Sequence, residues 1–219
     1  FPGGVNIACN GESTGSIDLT LFNANGLPTI NWTGPNGFTS TDEDLSNLEA
    51  GEYCVTAIDD LGCEANECIT LTEPTPISAM FASTAVSCNA GDDGATSISI
   101  SGGVPVYQIA WTGPDGFTGS GVTISELIAG TYCAEITDLN DCTEVFCIDI
   151  IEPNEIVVIL NSPETDGFNI ACFGDNSGEI NSTISGGTIN YDYSWTGPDG
   201  YASTDENPIN LFSGEYCLT

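Results

Sequence analysis

From Gly15 to Phe22 the chain alternates, with Ile17, Leu19 and Leu21 in one phase and Ser16, Asp18 and Thr20 in the other. A period of two marks a half-buried strand whose successive side chains point to opposite faces. The same phase returns at Ile98 and Ile100 and again at Ile180 and Ile184. A second strand carries Tyr107, Ile109 and Trp111, matched by Tyr191, Tyr193 and Trp195 and by Pro28, Ile30 and Trp32. A third places Tyr53, Val55 and Ala57, or Tyr132, Ala134 and Ile136, inward, which turns Cys54 and Cys133 outward. The strand after it has Ile69 and Leu71, or Ile148 and Ile150, facing inward and Cys68 and Cys147 facing outward. These patterns predict an all-β chain.

The landmarks recur at fixed intervals. Trp32, Trp111 and Trp195 are 79 and then 84 residues apart, as are Cys9, Cys88 and Cys172, and Cys54, Cys133 and Cys217. Cys63 and Cys68 likewise precede Cys142 and Cys147 by 79. Self-similarity at such a period indicates tandem domains. The reading is three immunoglobulin-like β-sandwich repeats: 1–73, lacking a first strand, 74–152, complete, and 153–219, lacking the C-terminal hairpin. Glu73-Pro74 and Glu152-Pro153 form the junctions, and proline there stiffens the joint.

One heptapeptide stands once per repeat, as WTGPNGF at 32–38, WTGPDGF at 111–117 and WTGPDGY at 195–201. It reads as a hairpin: the tryptophan ends a strand in the core, Gly-Pro-Asp-Gly makes a type I turn with proline at its second position, and the aromatic residue starts the return strand. Trp32, Trp111 and Trp195 are therefore core residues, as are Tyr53, Tyr132 and Tyr216 of the recurrent Leu-x-x-Gly-x-Tyr-Cys segment.

Charge narrows the function. The 219 residues contain 32 carboxylates and no Lys, Arg or His, a formal net charge of -32. Nucleic acid is bound mainly through cationic side chains and is excluded as a partner, while anionic membrane surfaces are disfavoured. Without His or Lys there is no triad base, Schiff base or imidazole ligand. Only carboxylate-pair chemistry stays open, and it needs a buried cleft that small filled sandwiches rarely offer, so the chain is read as no enzyme. No apolar run is long enough to span a bilayer, so direct membrane insertion is not expected.

Ten cysteines indicate disulfides formed in an oxidising, extracellular setting. Two outward cysteines flanking one hairpin suit a cross-strand bridge. The expected pairs are Cys54 with Cys68 and Cys133 with Cys147, leaving Cys9 with Cys63 and Cys88 with Cys142. Strand phase speaks against a Cys9 to Cys54 core bridge.

The order Cys, Gly-Gly, Tyr, Trp-Thr-Gly-Pro-Asp-Gly-Phe, Leu-x-x-Gly-x-Tyr, Asp-x-x-x-Cys and Thr-Glu-Pro resembles the SprB repeat of Bacteroidota cell-surface adhesins. Repeat 2 carries it in Cys88, Gly102, Gly103, Tyr107, Leu127, Gly130, Tyr132, Asp138 and Cys142. The resemblance implies a long repetitive protein exported by type IX secretion to the bacterial cell surface, serving gliding motility or attachment. The resemblance also implies that usual copies keep the first cysteine and the Asp-x-x-x-Cys one, which supports the long bridge, whereas the outward pair is an addition in this chain.

The expected function is a structural stalk or filament segment. Its partners would be neighbouring repeats of the same chain, with lateral or end-to-end self-association. The alternative is an adhesin module that binds glycan, with or without calcium. No cofactor is expected. Asp42, Glu43 and Asp44, and Asp205 and Glu206, are weak calcium candidates, since repeat 2 has Gly121 and Val122 at that place and a diffuse counterion cloud is the default. Asp59 and Asp138, just before Cys63 and Cys142, suit Asx-type caps.

Overall fold

The computed structural model describes residues 1–219, and all regular structure beyond short single turns is β. Repeat 1 contains β1 (Gly15–Ile17), β2 (Thr29–Thr33), β3 (Thr39–Ser40), β4 (Leu45–Leu48), β5 (Gly51–Ile58) and β6 (Glu64–Leu71). Repeat 2 contains β7 (Ser78–Thr84), β8 (Gly94–Ser101), β9 (Gln108–Thr112), β10 (Thr118–Ser120), β11 (Thr123–Leu127), β12 (Gly130–Thr137) and β13 (Thr143–Ile150). Repeat 3 contains β14 (Val157–Asn161), β15 (Gly178–Glu179), β16 (Asn181–Ser185), β17 (Trp195–Thr196), β18 (Ala202–Ser203), β19 (Ile209–Leu211) and β20 (Cys217–Leu218).

Two sheets serve each of the first two repeats. In repeat 2 their orders are β11-β8-β7 and β10-β9-β12-β13, the two-layer arrangement of an immunoglobulin-like sandwich. Repeat 1 shows β1-β4 and β3-β2-β5-β6, and repeat 3 shows β14-β16, β15-β19 and β18-β17-β20.

The chain divides into two compact units that cut across the repeats. One comprises residues 1–83, 96–124 and 131–149, and the other comprises 84–95, 125–130 and 150–219. In the first, Ile7, Ile17, Trp32, Leu45, Leu48, Tyr53, Val55 and Leu71 form one core. Ile98, Trp111, Ile124, Tyr132, Ala134 and Ile136 are also buried there. Burial of the second unit centres on Val86, Leu127, Ile150, Trp195 and Leu211.

Strand phase holds at most positions. Tyr53, Val55 and Ala57 are buried while Cys54 is only partly so, and Tyr132, Ala134 and Ile136 repeat that pattern. Two inward residues differ. Ile69 is 47% exposed, because β6 is the edge of its sheet and only Leu71 reaches the core. Tyr216 is half-buried, since β20 is two residues long and lies at a sheet edge, with no strand on its outer side. Beside Tyr216, Gly178, Ile170 and Leu211 line a cleft of about 410 Å³. At the corresponding place a methyl carbon on Gly15 would meet Leu71, and one on Gly94 would meet Ile150.

The heptapeptide hairpin uses a different turn from the one predicted. Phe38 N–H donates to the Pro35 carbonyl at 2.9 Å, so the central residues are Asn36 and Gly37, with φ of 54° and 78°. Asp115-Gly116 and Asp199-Gly200 do the same. Positive φ at both central positions is type I′, whose twist matches that of the flanking strands, whereas type I would splay them. The preceding glycine is required by contact: a methyl carbon on Gly113 would lie 2.5 Å from Tyr132 Cδ1. The turn thus seats on the tyrosine of the later segment, and Phe117 meets the Tyr132 ring edge-on at 5.2 Å. Phe38 with Tyr53 and Tyr201 with Tyr216 repeat that contact.

Candidate functional site

The loop after Ile7 turns back on itself, with Glu12 N–H donating to the Cys9 carbonyl at 3.3 Å and Ala8 N–H to Thr14 Oγ1 at 3.3 Å. It is fastened to the end of β6, where Asn6 and Ile7 N–H both donate to the Thr72 carbonyl. The Glu73 carboxylate accepts from Asn10 Nδ2 at 3.0 Å and from Gly11 N–H at 2.7 Å. Asn10 Nδ2 also donates to the Pro74 carbonyl at 3.1 Å. The Glu-Pro junction is therefore clasped by the cysteine loop of the repeat it leaves.

A hairpin of repeat 2 meets this loop. Asp138 is 4% exposed. One of its carboxylate oxygens accepts from Asn140 N–H at 2.8 Å and Cys142 N–H at 3.0 Å, and the other accepts from Val104 N–H at 2.8 Å. So held, Asn140 Nδ2 donates to the Ala8 carbonyl at 2.9 Å, and Cys142 is disulfide-bonded to Cys9 with Cα atoms 5.6 Å apart. Repeats 1 and 2 are thereby joined twice, by a hydrogen bond to backbone and by sulfur. A cleft of about 280 Å³ between Asn10, Pro76, Gly103 and Asp141 lies at the joint.

The long bridge therefore differs from the expected one. Cys9 pairs with Cys142, and the expected partners Cys63 and Cys88 are exposed free thiols. The reason is length. Cys63 precedes β6, whereas the Cys9 loop is tied to Thr72 and Glu73 just after it. Eight strand residues at about 3.3 Å each put roughly 26 Å between those ends, far beyond the span of a disulfide. The short bridges are Cys54–Cys68 and Cys133–Cys147, each 14 residues apart in sequence.

The SprB-repeat family model matches residues 81–116 and 168–200, covering the Cys88 and Cys172 loops and running from each to the turn of the tryptophan hairpin that follows it. The chain carries SprB repeats. Such repeats belong to repetitive, adhesin-like proteins of cell surfaces, and the three disulfides fit a setting outside the reducing cytoplasm. Among solved structures the chain is similar to an amphioxus IgVJ-C2 molecule, with 17% identity over 65% of this chain and 98% of that one and a TM-score of 0.32. No curated protein sequence matches this one.

The SprB repeats reuse the parts of the joint. Glu152 accepts from Asn89 Nδ2 at 3.3 Å and Ala90 N–H at 2.6 Å, and Asn89 Nδ2 also reaches the Pro153 carbonyl at 3.2 Å, so the second junction has the same clasp. Sequence reading alone does not single out Asn10 and Glu73 as a pair. The signal for them is the recurrence of Cys-Asn 64 residues before Glu-Pro in repeats 1 and 2. Replacing Glu73 with Ala is expected to cost about 1 kcal/mol through lost hydrogen bonds. It should also speed limited proteolysis at residues 73–76, measured against an unchanged rate at the second junction.

The calcium candidates are used locally. Asp42 accepts from Ser40 Oγ at 3.0 Å, and its carbonyl takes the Trp32 indole N–H at 3.0 Å; Asp205 accepts from Ser203 Oγ at 2.8 Å, and its carbonyl takes the Trp195 indole at 2.8 Å. Asp44 accepts from Leu19 N–H at 3.1 Å. The donor atoms of Asp42, Glu43 and Asp44 do not converge. One group of three possible ligands does, Glu52 with Cys54 and Cys68, but those two sulfurs are joined to each other.

Two carboxylates have lowered pKa values. Asp59 is held down first by the Cys63 backbone N–H and then by Asn25, and Asp93 by Ser87. Because these folded-state values lie below the unfolded ones, their stabilisation is present above the ordinary Asp range near pH 4 and disappears as pH falls through the depressed values. Melting temperature is thus expected to drop at the acid end, and Asp59→Asn should flatten that limb in a pH 7 to pH 2 series followed by circular dichroism.

Proposed function

We propose that the chain is a segment of the stalk of a long extracellular protein on a bacterial cell surface, serving attachment or gliding motility. The observation that carries this reading is the Cys9–Cys142 bridge, which joins one repeat to the next where a ligand-reading array would need only a linker. The repeated Glu-Pro clasp supports it. A chain without cationic side chains has no ion pairs between side chains to stiffen such joints, so covalent and backbone links take that role. The reading includes no catalytic activity, cofactor or nucleic-acid partner; the repeats' partners are other repeats.

Loops such as 40–47 and 119–126 differ between copies, whereas a tandem binder would keep one loop constant. A glycan array with and without calcium tests the stalk against the adhesin module. No saturable binding is expected, and saturable binding proportional to repeat number would reject the stalk.

A further inference from the structure

The outermost strand of a sheet presents unpaired backbone groups to solvent, and several such strands of this chain are guarded. β6 carries Glu64 and Glu67, β13 carries Glu144 and Asp149, and β3, β10 and β18 are only two or three residues long. Charge and shortness both keep an edge from adding a foreign strand. β14 is longer and uncharged. Its segment 156–162, Ile-Val-Val-Ile-Leu-Asn-Ser, holds no carboxylate and no proline. Its pairing with β16 runs unbroken from Val157 opposite Ser185 to Asn161 opposite Asn181, so no bulge turns the strand aside.

The free edge does not come from the smaller strand set of repeat 3. Repeat 2 has two full sheets, and there β7, which follows its Glu-Pro junction as β14 does, is also the last strand of its sheet. Nor is the apolar face one that an opposing sheet would cover. In β16, Ser182 is buried and Ile184 half-buried, and they stand opposite Leu160 and Val158, so these four face the sandwich interior. Val157 and Ile159, opposite Ser185 and Thr183, therefore face away from it, at 48% and 61% exposure. Counted from the Glu-Pro junctions, β7 has Ser78 and Met80 at these two places. In β14 both are β-branched, the type that best fits a pleated, half-covered surface.

We infer that a second copy of this chain adds at the free edge of β14, strand β14 against strand β14, antiparallel about Ile159. The inference rests on the stalk reading, for which it supplies a lateral contact between molecules. Charge selects both the occupant and the direction. With 32 carboxylates and no cationic side chain, two copies approach with least repulsion where neither presents a carboxylate, whereas a cationic partner would be drawn to the carboxylates instead. Antiparallel pairing about Ile159 sets Val157 opposite Asn161, Glu155 opposite Pro163 and Glu164 opposite Asn154. Parallel pairing in register would set Glu155 against Glu155 and Glu164 against Glu164, and like charges directly opposed destabilise a strand pair. The antiparallel contact is isologous: each strand occupies the free edge of the other, so it closes at two molecules. A strand of five residues makes a small contact, in the class of weak, reversible association.

The test uses the whole 219-residue chain with Cys63→Ser, Cys88→Ser, Cys172→Ser and Cys217→Ser, so that no free thiol remains, in sedimentation equilibrium over a concentration series at physiological ionic strength. A shift from the monomer towards twice its mass is expected. It should be lost in Ile159→Asp, which sets two carboxylates face to face, and kept in Met80→Asp on β7. Ile159→Cys in the same background should be joined to its twin by a short bis-maleimide, since directly opposed residues lie about 5 Å apart. Thr183→Cys on β16 should not, because three strand spacings, about 14 Å, separate it from its twin. Monomer at every concentration, species growing beyond the dimer, a dimer that survives Ile159→Asp or is lost in Met80→Asp, or cross-linking at Thr183→Cys without Ile159→Cys would each overturn the inference. None of those outcomes rejects the stalk, which fails instead on saturable glycan binding.

Discussion

Replacing Trp111 with Ala is expected to destabilise its unit by about 3–5 kcal/mol, the range for deleting a large buried aromatic side chain. The indole is 1% exposed, sits 6.0 Å from the Phe81 ring and donates to the Gly121 carbonyl at 2.9 Å. Removal leaves a cavity and an unpaired carbonyl together. Trp111→Phe retains most of the apolar contact but not the donor, and should cost about 1 kcal/mol, one part-buried hydrogen bond. Chemical denaturation of the two variants separates the contributions. If Trp111→Ala shifts the transition no more than Trp111→Phe does, the indole is not a core anchor.

The paired substitution Cys9→Ser with Cys142→Ser is expected to have the other large effect. The bridge spans 133 residues, and the loop-entropy relation assigns such a closure about 5 kcal/mol, against about 3 kcal/mol for the short loops. The internal Cys54–Cys68 bridge already shortens the larger loop, so that figure is an upper one. The distinctive consequence is a change in cooperativity. Repeats 1 and 2 are held together by the bridge, and its loss should split their melting into two transitions, whereas loss of Cys54–Cys68 should lower one transition without splitting it. Differential scanning calorimetry distinguishes these outcomes.

Much of this fold was legible because strand phase is a local property. Ile98, Trp111, Tyr132 and Ile136 lie inward by counting alone, and the Cys54–Cys68 and Cys133–Cys147 bridges follow from two outward residues opposed across a hairpin, with Cys54 directly opposite Cys68 in the β5–β6 register. Phase assigns a face, however, and not an end. Cys9 and Cys63 lie in loops, where faces lose their meaning and the position along the strand decides reach. The eight residues of β6 are what hold them apart. The type I′ turn is written in Asn36-Gly37 and Asp115-Gly116, but the adjoining proline suggests a turn one residue too early. The clasp of Asn10 on Glu73 was the least legible, because an amide and a carboxylate 63 residues apart announce themselves only through their recurrence at Asn89 and Glu152. Tyr216 shows the complementary limit: its sequence context matches Tyr53 and Tyr132, yet burial depends on a neighbouring strand that β20 lacks.

Successive SprB repeats, on this account, are joined covalently across their junction. Trypsin finds no Lys or Arg in this chain, so the decisive measurement is non-reducing peptide mapping of the native protein after cleavage at its carboxylates, with free thiols alkylated beforehand. The account predicts one linked pair containing Cys9 and Cys142, with Cys63 and Cys88 recovered alkylated. Recovery of Cys9 linked to Cys63, or of Cys9 and Cys142 both alkylated, would contradict it.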